Sequence, residues 1–293
     1  MKRRQFIPIA ASALLEAKEQ NVKFYVGNYG MQTLDVDTAL AKIKQIGYDG
    51  AELCLMSDWP SAPDKLDAAA RRRIREQALP IPSMIENFNT LVSEADHAKT
   101  LTRIKNAAEL AHDISPKAPP LLQSVLGGKP SEWESVKDRM ASHLGDWAKT
   151  AAENKIQLAV KSHIGSASDT PEKLVWLLDK VNNPALTGIY DYGHFQLLGI
   201  DLEKSLDTLL PRSKFITVKD GRMVAGKPQF LLPGEGTIDY KQYFSLLKKK
   251  KYKGWMLVEI SRQLQTVAGY DPVGAAEKSY KNLAPLLRQA ALR

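Results

Sequence analysis

The sequence predicts a single α/β domain that closes as a (β/α)8 barrel. From Val22 onward, short apolar runs typical of buried parallel strands alternate with longer amphipathic segments typical of helices. Eight such runs can be counted, and no linker rich in Ser and Gly divides the 293 residues. An open doubly wound sheet would usually have fewer strands and a Gly-rich phosphate turn, which does not follow the first run here.

The strands are predicted at residues 23–27, 50–55, 81–85, 121–125, 157–161, 187–190, 214–218 and 255–260. Helices fill the gaps between them, for example over 38–46 and from 131 to about 154. Several of these helices begin with a side chain that can cap the first turn, and one helix has a proline at its first position. These start signals are Asp35, Ser131-x-x-Glu134, Thr170-Pro171, Asp201, Asp239 and Asp271.

The charge balance is basic, with 41 Lys and Arg against 33 Asp and Glu, or +8. This excess favours anionic partners, but the densest run, Lys248 to Lys251, falls at the end of a predicted helix, where cations are stabilised. No basic surface interleaved with aromatic residues accompanies it, so no nucleic-acid partner is expected. A single cysteine, Cys54, excludes an intrachain disulfide and metal sites built from several cysteines.

Residues 1–21 are predicted to form an amino-terminal extension to a barrel domain spanning 22–293. Arg3 and Arg4 precede a short apolar stretch, which resembles a twin-arginine export signal and would place the protein in the periplasm. The apolar stretch is only about eight residues long and no small-x-small cleavage site follows, so a solvated extension of a cytoplasmic protein is the alternative. No stretch approaches the ~20 apolar residues of a membrane span.

Polar side chains cluster at the predicted carboxyl ends of the strands. In a barrel of this kind the active site lies at those ends, built from residues of several strands. The polar residues there are Asn28, Glu52, Glu86, Asn87, Gln123, Lys161, His163, Asp191, His194, Lys219, Asp220, Arg222 and Glu259.

Several of these strand ends lie in recognisable motifs. They are Gly47-Tyr48-Asp49-Gly50-Ala51-Glu52, Leu158-Ala159-Val160-Lys161-Ser162-His163, Asp191-Tyr192-Gly193-His194, Val218-Lys219-Asp220, Pro233-Gly234-Glu235-Gly236 and Val258-Glu259. In this order, the set resembles the xylose isomerase-like TIM-barrel sugar isomerases and epimerases. That family includes D-tagatose epimerase, hydroxypyruvate isomerase and inosose dehydratase.

The resemblance implies one divalent metal, held by a Glu on strand five, an Asp on strand six, a His on strand seven and a Glu on strand eight. Asp191 and Glu259 match two of these positions, but Lys161 and Thr217 stand at the other two. One lysine with two carboxylates carries the same charge, −1, as three carboxylates with a divalent ion. We therefore expect no metal cofactor, with Mn or Mg on Asp191 and Glu259 as the alternative.

Glu259, Lys161, Asp191 and His163 are the predicted catalytic residues. The resemblance makes Glu259 a general base, although it could instead pair with Lys161 only to hold the barrel mouth together. Lys161 could stabilise a substrate oxygen, fill the site structurally, or form a Schiff base, which two adjacent carboxylates disfavour because they keep the amine protonated.

Five further residues are predicted to bind substrate. His194, like His163, stands where the resemblance places histidines that hydrogen-bond the substrate, and a structural role is the alternative. Lys219 and Arg222 could hold a hydroxyl, carboxylate or phosphate, or remain solvated. Glu86 is a weaker candidate, and Trp59 could form an aromatic platform or pack within its loop.

We therefore expect an enzyme that abstracts a proton beside a carbonyl of a small sugar, keto-sugar or polyol, giving isomerisation, epimerisation or elimination. A non-catalytic carbohydrate-binding homologue is the alternative. A DNA-repair barrel like endonuclease IV is disfavoured, because its metal site is rich in histidine and this chain has five His. The oligomeric state is left open.

Overall fold

The computed structural model describes residues 22–293, so the predicted extension and export signal at 1–21 lie outside the described residues. Ten strands are present: β1 (Lys23–Gly27), β2 (Gly50–Cys54), β3 (Ser83–Ile85), β4 (Leu121–Ser124), β5 (Leu158–Val160), β6 (Leu186–Asp191), β7 (Ser213–Val218), β8 (Asp220–Val224), β9 (Lys227–Leu231) and β10 (Trp255–Val258). Eight of them form a closed parallel barrel in the order β1-β10-β7-β6-β5-β4-β3-β2. The predicted (β/α)8 architecture is confirmed.

Helices lie between the barrel strands. They are α1 (Val36–Ile46), α2 (Ala68–Glu76), α3 (Glu94–Ile114), α4 (Trp133–Glu153), α5 (Pro171–Val181), α6 (Tyr192–Leu197), α7 (Leu202–Leu209), α8 (Tyr240–Lys249), α9 (Arg262–Gln265) and α10 (Pro272–Gln289). Short 3-10 turns occur at Asn28–Met31, Pro63–Lys65, Pro130–Glu132 and Leu210–Arg212. Within residues 22–293, no helix combines the length and apolar character needed to cross a membrane.

Most of the predicted helix starts are correct. The side chains of Asp35, Thr170, Asp201, Asp239 and Asp271 each accept a hydrogen bond from a backbone amide in the first turn of their helix. Each such cap satisfies an amide that has no partner within the helix.

The predicted capping box at Ser131 and Glu134 is wrong. A 3-10 turn begins earlier, at Pro130, whose fixed φ suits the start of a helical segment. The Glu132 carboxylate accepts a hydrogen bond from the Lys129 amide at 2.9 Å, whereas Glu134 pairs with Lys137.

Strand lengths also differ from the prediction. The third strand pairs only over Ser83–Ile85, because Pro80 and Pro82 have no amide hydrogen to donate to a neighbouring strand. Strand β5 ends at Val160 and β10, which is the eighth predicted strand, ends at Val258. Both end before the polar residues of the barrel mouth. The antiparallel hairpin β8–β9, which follows β7, was not predicted.

An apolar layer closes the lower part of the barrel interior. It consists of Tyr25, Leu121, Ala159, Ile189, Phe215 and Leu257, all buried. Successive side chains of a strand point to opposite faces, so residues two positions further along each strand also face the interior. The layer above it is therefore polar, and it forms the floor of the barrel mouth.

The lysine run at the end of α8 is held by local contacts. Lys248 donates to the Ala291 carbonyl at 2.8 Å, Lys249 lies 3.1 Å from the Glu203 carboxylate, and Lys250 pairs with Asp207. The run therefore lies at a helix end, as the sequence predicts, and its side chains pair with groups of neighbouring segments.

Asp220 fixes the loop that follows the hairpin. Its buried carboxylate accepts hydrogen bonds from the amides of Gly221 at 2.9 Å, Gly234 at 3.0 Å and Ile238 at 3.4 Å. A Cβ atom on Gly236 would lie 2.0 Å from Asp220 Oδ1, so only glycine fits there. Asp220, which follows a barrel strand, thus holds a loop in place.

Asp220→Ala is expected to lower the free energy of unfolding by on the order of 3 kcal/mol, because buried amides would lose their acceptor. Urea denaturation followed by circular dichroism measures this. Asp138→Ala is the matched control, since Asp138 makes only an exposed ion pair with Lys180 at 3.7 Å. Equal losses in the two variants would contradict the role given to Asp220.

Candidate active site

Five polar side chains form the floor of the barrel mouth, and one of them is Gln123, two positions beyond Leu121. Lys161, Asp191, Thr217 and Glu259 lie two positions beyond Ala159, Ile189, Phe215 and Leu257 of the apolar layer, and all four are buried. The period of two along the strand thus brings together the three residues on which the sequence hypothesis depends.

The Lys161 ammonium lies between two carboxylates. Its Nζ donates to Asp191 Oδ2 at 3.3 Å and to Glu259 Oε2 at shorter range. An ammonium has three donors, so one remains for another acceptor. The side chain is 2 % exposed, and the charged group is therefore taken out of bulk water.

Lys219 is a second cation in the same cluster. Its Nζ donates to Glu259 Oε1 at 2.6 Å and lies 3.4 Å from Nε2 of His194, which is itself 3.5 Å from Asp191 Oδ2. A Cβ atom on Gly193 would lie 2.3 Å from Cγ of Lys219, so glycine is required for the lysine stem to pass. Two ammonium groups and two carboxylates therefore meet here.

These contacts fix the charge of Glu259 and Lys161. Burial disfavours the Glu259 carboxylate, but the charges of Lys161 and Lys219 outweigh it and hold its pKa well below the usual value. Burial likewise disfavours the Lys161 ammonium, and the carboxylates of Glu259 and Asp191 outweigh it and raise the pKa of Lys161. Lys161 is thus protonated at neutral pH, which excludes a Schiff base in this state.

The prediction that Glu259 is the general base is disfavoured by its contacts. Both of its carboxylate oxygens accept from ammonium groups, one from Lys161 and one from Lys219. A carboxylate with a strongly lowered pKa is a weak proton acceptor. Glu259 is better suited to hold the two lysines in place.

A cavity of about 350 Å³ opens above this cluster. Lys161, Glu259 and His163 face it, together with Tyr29 and Glu86. Asp191, His194 and Lys219 are not part of its lining and lie behind the first three. The cavity lies at the carboxyl ends of the strands, where active sites of such barrels occur.

His163 presents an unprotonated nitrogen near the cavity. Its Nδ1 lies 2.7 Å from the Ile164 carbonyl, which can only accept, so Nδ1 carries the proton of the neutral ring and Nε2 has a lone pair. Burial, together with the charges of Lys219 and Lys161, lowers the pKa of His163 to about 4. The ring is therefore neutral at pH 7 and able to accept a proton.

The other predicted histidine, His194, is completely buried. Its ring centroid is 4.0 Å from that of His163, and burial and the Lys219 charge hold its pKa well below the usual value. His194 touches Lys219 and Asp191 rather than the cavity. It therefore positions charged groups and does not reach a ligand directly.

Of the five predicted substrate-binding residues, only Glu86 lines the cavity; Arg222 and Trp59 lie outside the lining, as His194 and Lys219 do. Arg222 is exposed on the unpredicted hairpin, where its Nε donates to Gln229 Oε1 at 2.8 Å. Trp59 is buried, with one ring stacked on Tyr29 at 5.2 Å and the Arg262 guanidinium 5.2 Å from its centre. In this structure Trp59 packs within its loop, which was the alternative to a platform, and its ring contacts Tyr29 and Arg262.

Tyr29 was not among the predicted site residues, yet it faces the cavity. Burial and the Glu259 charge raise the pKa of its phenol to about 12, so its hydroxyl is a donor at neutral pH. It belongs to the 3-10 turn after β1, and the residues around it give no sequence signal that distinguishes it from a core tyrosine.

Glu52 is a second residue that the site prediction did not include. It is fully buried on β2 and accepts hydrogen bonds from Ser83 Oγ at 2.7 Å and from the Gln123 side-chain amide. Burial raises the pKa of Glu52 to about 7, against the effect of those hydrogen bonds. The sequence motif that ends in Glu52 identifies this residue, but the burial that raises its pKa arises only when the barrel closes.

The donors around Asp191 and Glu259 do not suit the divalent metal that the resemblance implies. A cation touching both carboxylates would meet the Lys161 ammonium, and Lys219 already occupies the other oxygen of Glu259. Thr217 offers a hydroxyl in place of an imidazole. Over residues 22–293, no group of three His, Cys, Asp or Glu side chains converges as a metal site would require.

Comparison with known proteins agrees with this architecture. The profile of the xylose isomerase-like TIM barrel family matches residues 40–289. The chain belongs to this family. An inosose dehydratase of Mesomycoplasma hyopneumoniae is 24% identical over 284 residues, covering 87% of this chain and 89% of that protein.

Solved structures of the xylose isomerase-like fold superpose over most of the chain. An IOLI protein with a bound zinc atom gives a TM-score of 0.74 at 17% identity, covering 92% of this chain and 99% of that one. A D-allulose 3-epimerase from Methylomonas sp. in complex with D-allulose gives 0.70 at 16% identity, covering 91% and 97%. At these identities the likeness shows the shared fold.

Glu52→Gln tests the raised pKa of the interior carboxyl. In the wild type, the folded state keeps a proton on Glu52 that the unfolded state releases, so this group's contribution falls as pH rises from 4.5 to 7. Glutamine does not titrate. Between pH 4.5 and pH 7, the free energy of unfolding of the variant should therefore rise by roughly 3 kcal/mol relative to that of the wild type.

Urea unfolding at a series of pH values measures that difference. Glu153→Gln is the control, because it makes the same change of residue type at an exposed position at the end of α4. A flat difference for Glu52→Gln would mean that Glu52 is ionised in the folded state.

Lys161→Glu is expected to raise the affinity for Mn²⁺, because it replaces an ammonium by a third carboxylate beside Asp191 and Glu259. Isothermal titration calorimetry measures the affinity, and circular dichroism shows whether the variant is folded. Lys214→Glu makes the same charge change at an exposed position of β7. Equal affinities in the two folded variants would show that position 161 does not control cation binding.

Proposed function

We propose that this chain is a carbohydrate-active enzyme that abstracts a proton beside a carbonyl of a sugar, keto-sugar or polyol, and that ammonium groups replace the family's metal. The observation that supports it best is the contact of Lys161 with Asp191 and Glu259 at the floor of the cavity. Relatives named inosose dehydratase and D-allulose 3-epimerase support the substrate class.

Lys161 is proposed to stabilise the oxygen that becomes negative during the reaction. Removal of a proton from the carbon beside a carbonyl moves an electron pair onto the carbonyl oxygen, giving an enediolate. The third ammonium donor of Lys161 is available to that oxygen, and its charge is already held by the surrounding carboxylates. A fixed charge of this kind costs no reorganisation during the reaction.

His163 is proposed to accept the proton. Its Nε2 carries a lone pair, the ring borders the cavity, and the residue is neutral at pH 7. A pKa of about 4 makes this imidazole a weak base, as the lowered pKa does for Glu259, so the assignment rests on geometry. Both oxygens of Glu259 accept from ammonium groups, whereas Nε2 of His163 has no hydrogen-bond partner within residues 22–293. Returning this proton to the same carbon from the other face, to the neighbouring carbon, or to a departing hydroxyl would give epimerisation, isomerisation or elimination, respectively. Glu259 would keep Lys161 and Lys219 in position.

One observation favours the alternative, a non-catalytic carbohydrate-binding protein. The lowered pKa of Glu259 removes the carboxylate base that the resemblance implies, which leaves His163 as the acceptor that faces the cavity. If His163 only donates or accepts a hydrogen bond to a ligand, the same cavity would bind a sugar without converting it.

Solvent exchange separates the two functions. D-fructose, D-tagatose, D-allulose and an inosose are incubated in deuterated buffer, and NMR follows labelling of the carbon beside the carbonyl. We expect labelling of at least one of them. His163→Asn should then reduce the labelling rate by roughly 100-fold or more, because the proton acceptor is lost.

His112→Asn is the matched control for this experiment. His112 lies on α3 and contacts the Asn154 carbonyl at 2.9 Å, away from the cavity lining, so its labelling rate should stay near the wild-type value. Measurable sugar binding without labelling across the panel would establish the binding protein instead.

A further inference from the structure

A second groove adjoins the cavity at the carboxyl ends of the strands. It has a volume of about 440 Å³ and lies between the loop after β2 and helix α3. Glu86 lines both the cavity and the groove, so the two spaces meet at this residue. Each has a size typical of a small-ligand pocket, on the order of 300–1,000 Å³.

A bidentate ion pair between Glu86 and Arg103 lies where the cavity and the groove meet. Glu86 Oε1 lies 2.5 Å from Arg103 Nη2, and Arg103 Nε donates to Glu86 Oε2 at 3.1 Å. The Glu86 side chain is 6 % exposed, whereas that of Arg103 is 45 % exposed and rests on the Phe88 ring at 4.8 Å. The pair therefore fixes the guanidinium at the junction, with donors still open to solvent.

The remaining polar side chains of the groove are free to bind a ligand. Within residues 22–293, the Ser57 hydroxyl, the Asp64 carboxylate and the Asn106 amide make no hydrogen bond or ion pair to another side chain or to the backbone. Asn106 follows Arg103 by three residues on α3, so both side chains project from the same face of the helix. The groove therefore offers both hydrogen-bond donors and acceptors.

We infer that the groove is a second sugar subsite and that the substrate class is glycosides with a carbonyl group on one sugar unit, which occupies the cavity while the unit attached to it occupies the groove. This inference rests on the proposed function for the reacting unit. Neutral hydroxyl groups match the mixture of a guanidinium, an amide, a hydroxyl and carboxylates better than a phosphate would, because a phosphate would meet Asp64 and Glu86.

Isothermal titration calorimetry on the full chain tests the subsite. The probes are cellobiose, lactose, maltose and trehalose, compared with D-glucose, D-galactose and methyl β-D-glucoside. At least one disaccharide should bind roughly tenfold more tightly than the single-unit probes, through its additional hydrogen bonds. Asn106→Ala and Asp64→Ala, made together, should remove this advantage and leave single-unit binding unchanged.

Two further variants keep the outcomes distinct. Asn106→Trp should fill the groove and weaken only disaccharide binding, while Thr102→Ala, at an exposed position on the same helix, should change neither. Single-unit binding without any disaccharide advantage, or an advantage that survives Asn106→Trp, would overturn the subsite and leave the proposed function standing. Loss of solvent exchange with an intact disaccharide advantage would reject the catalytic proposal and support the subsite.

Discussion

The charge distribution at the barrel mouth depends on one contact, that of the Lys161 ammonium with the carboxylates of Asp191 and Glu259. Desolvation of any one of these charges alone would be costly, and each is tolerated only because its partners are within hydrogen-bond distance. A buried ion pair contributes little net stability compared with apolar residues of the same volume. The presence of such a cluster at the floor of a cavity is therefore better explained by a role at the site than by stability.

Lys219 changes the charge balance that the sequence suggested. One lysine with two carboxylates carries −1, but the second ammonium on Glu259 makes the cluster of two cations and two anions neutral. The two ammonium groups outweigh the effect of burial on Glu259 and keep its pKa low, while burial, together with the same ammonium charges, lowers the pKa of His163 and keeps its ring neutral. These protonation states underlie the proposed division of roles, in which Lys161 is a fixed charge and His163 is a neutral acceptor.

The contents of the barrel are arranged in layers that the strand period sets. Ile189, Phe215 and Leu257 belong to the apolar layer, and the residues two positions later supply polar side chains of the floor. Because a fixed floor needs a packed support, the apolar layer limits how far the charged groups can move. The loops above the floor are held by individual polar contacts instead of apolar packing. Examples are the hydrogen bonds to Asp220 and the ion pair of Glu86 with Arg103.

The sequence alone determined the closed barrel, the strand order in the chain and the approach of Lys161 to Asp191 and Glu259. These features follow from the periodicity of side chains along each strand, which depends on residues close in sequence. They also follow from the rule that the carboxyl ends of parallel strands meet at one face of the barrel. It did not determine which polar strand ends face the cavity. Arg222 turned outward on a hairpin, Trp59 was covered by Tyr29, and Lys219 reached Glu259 from 40 residues away. Such contacts depend on how loops pack and on which group is desolvated, and only the tertiary structure decides these.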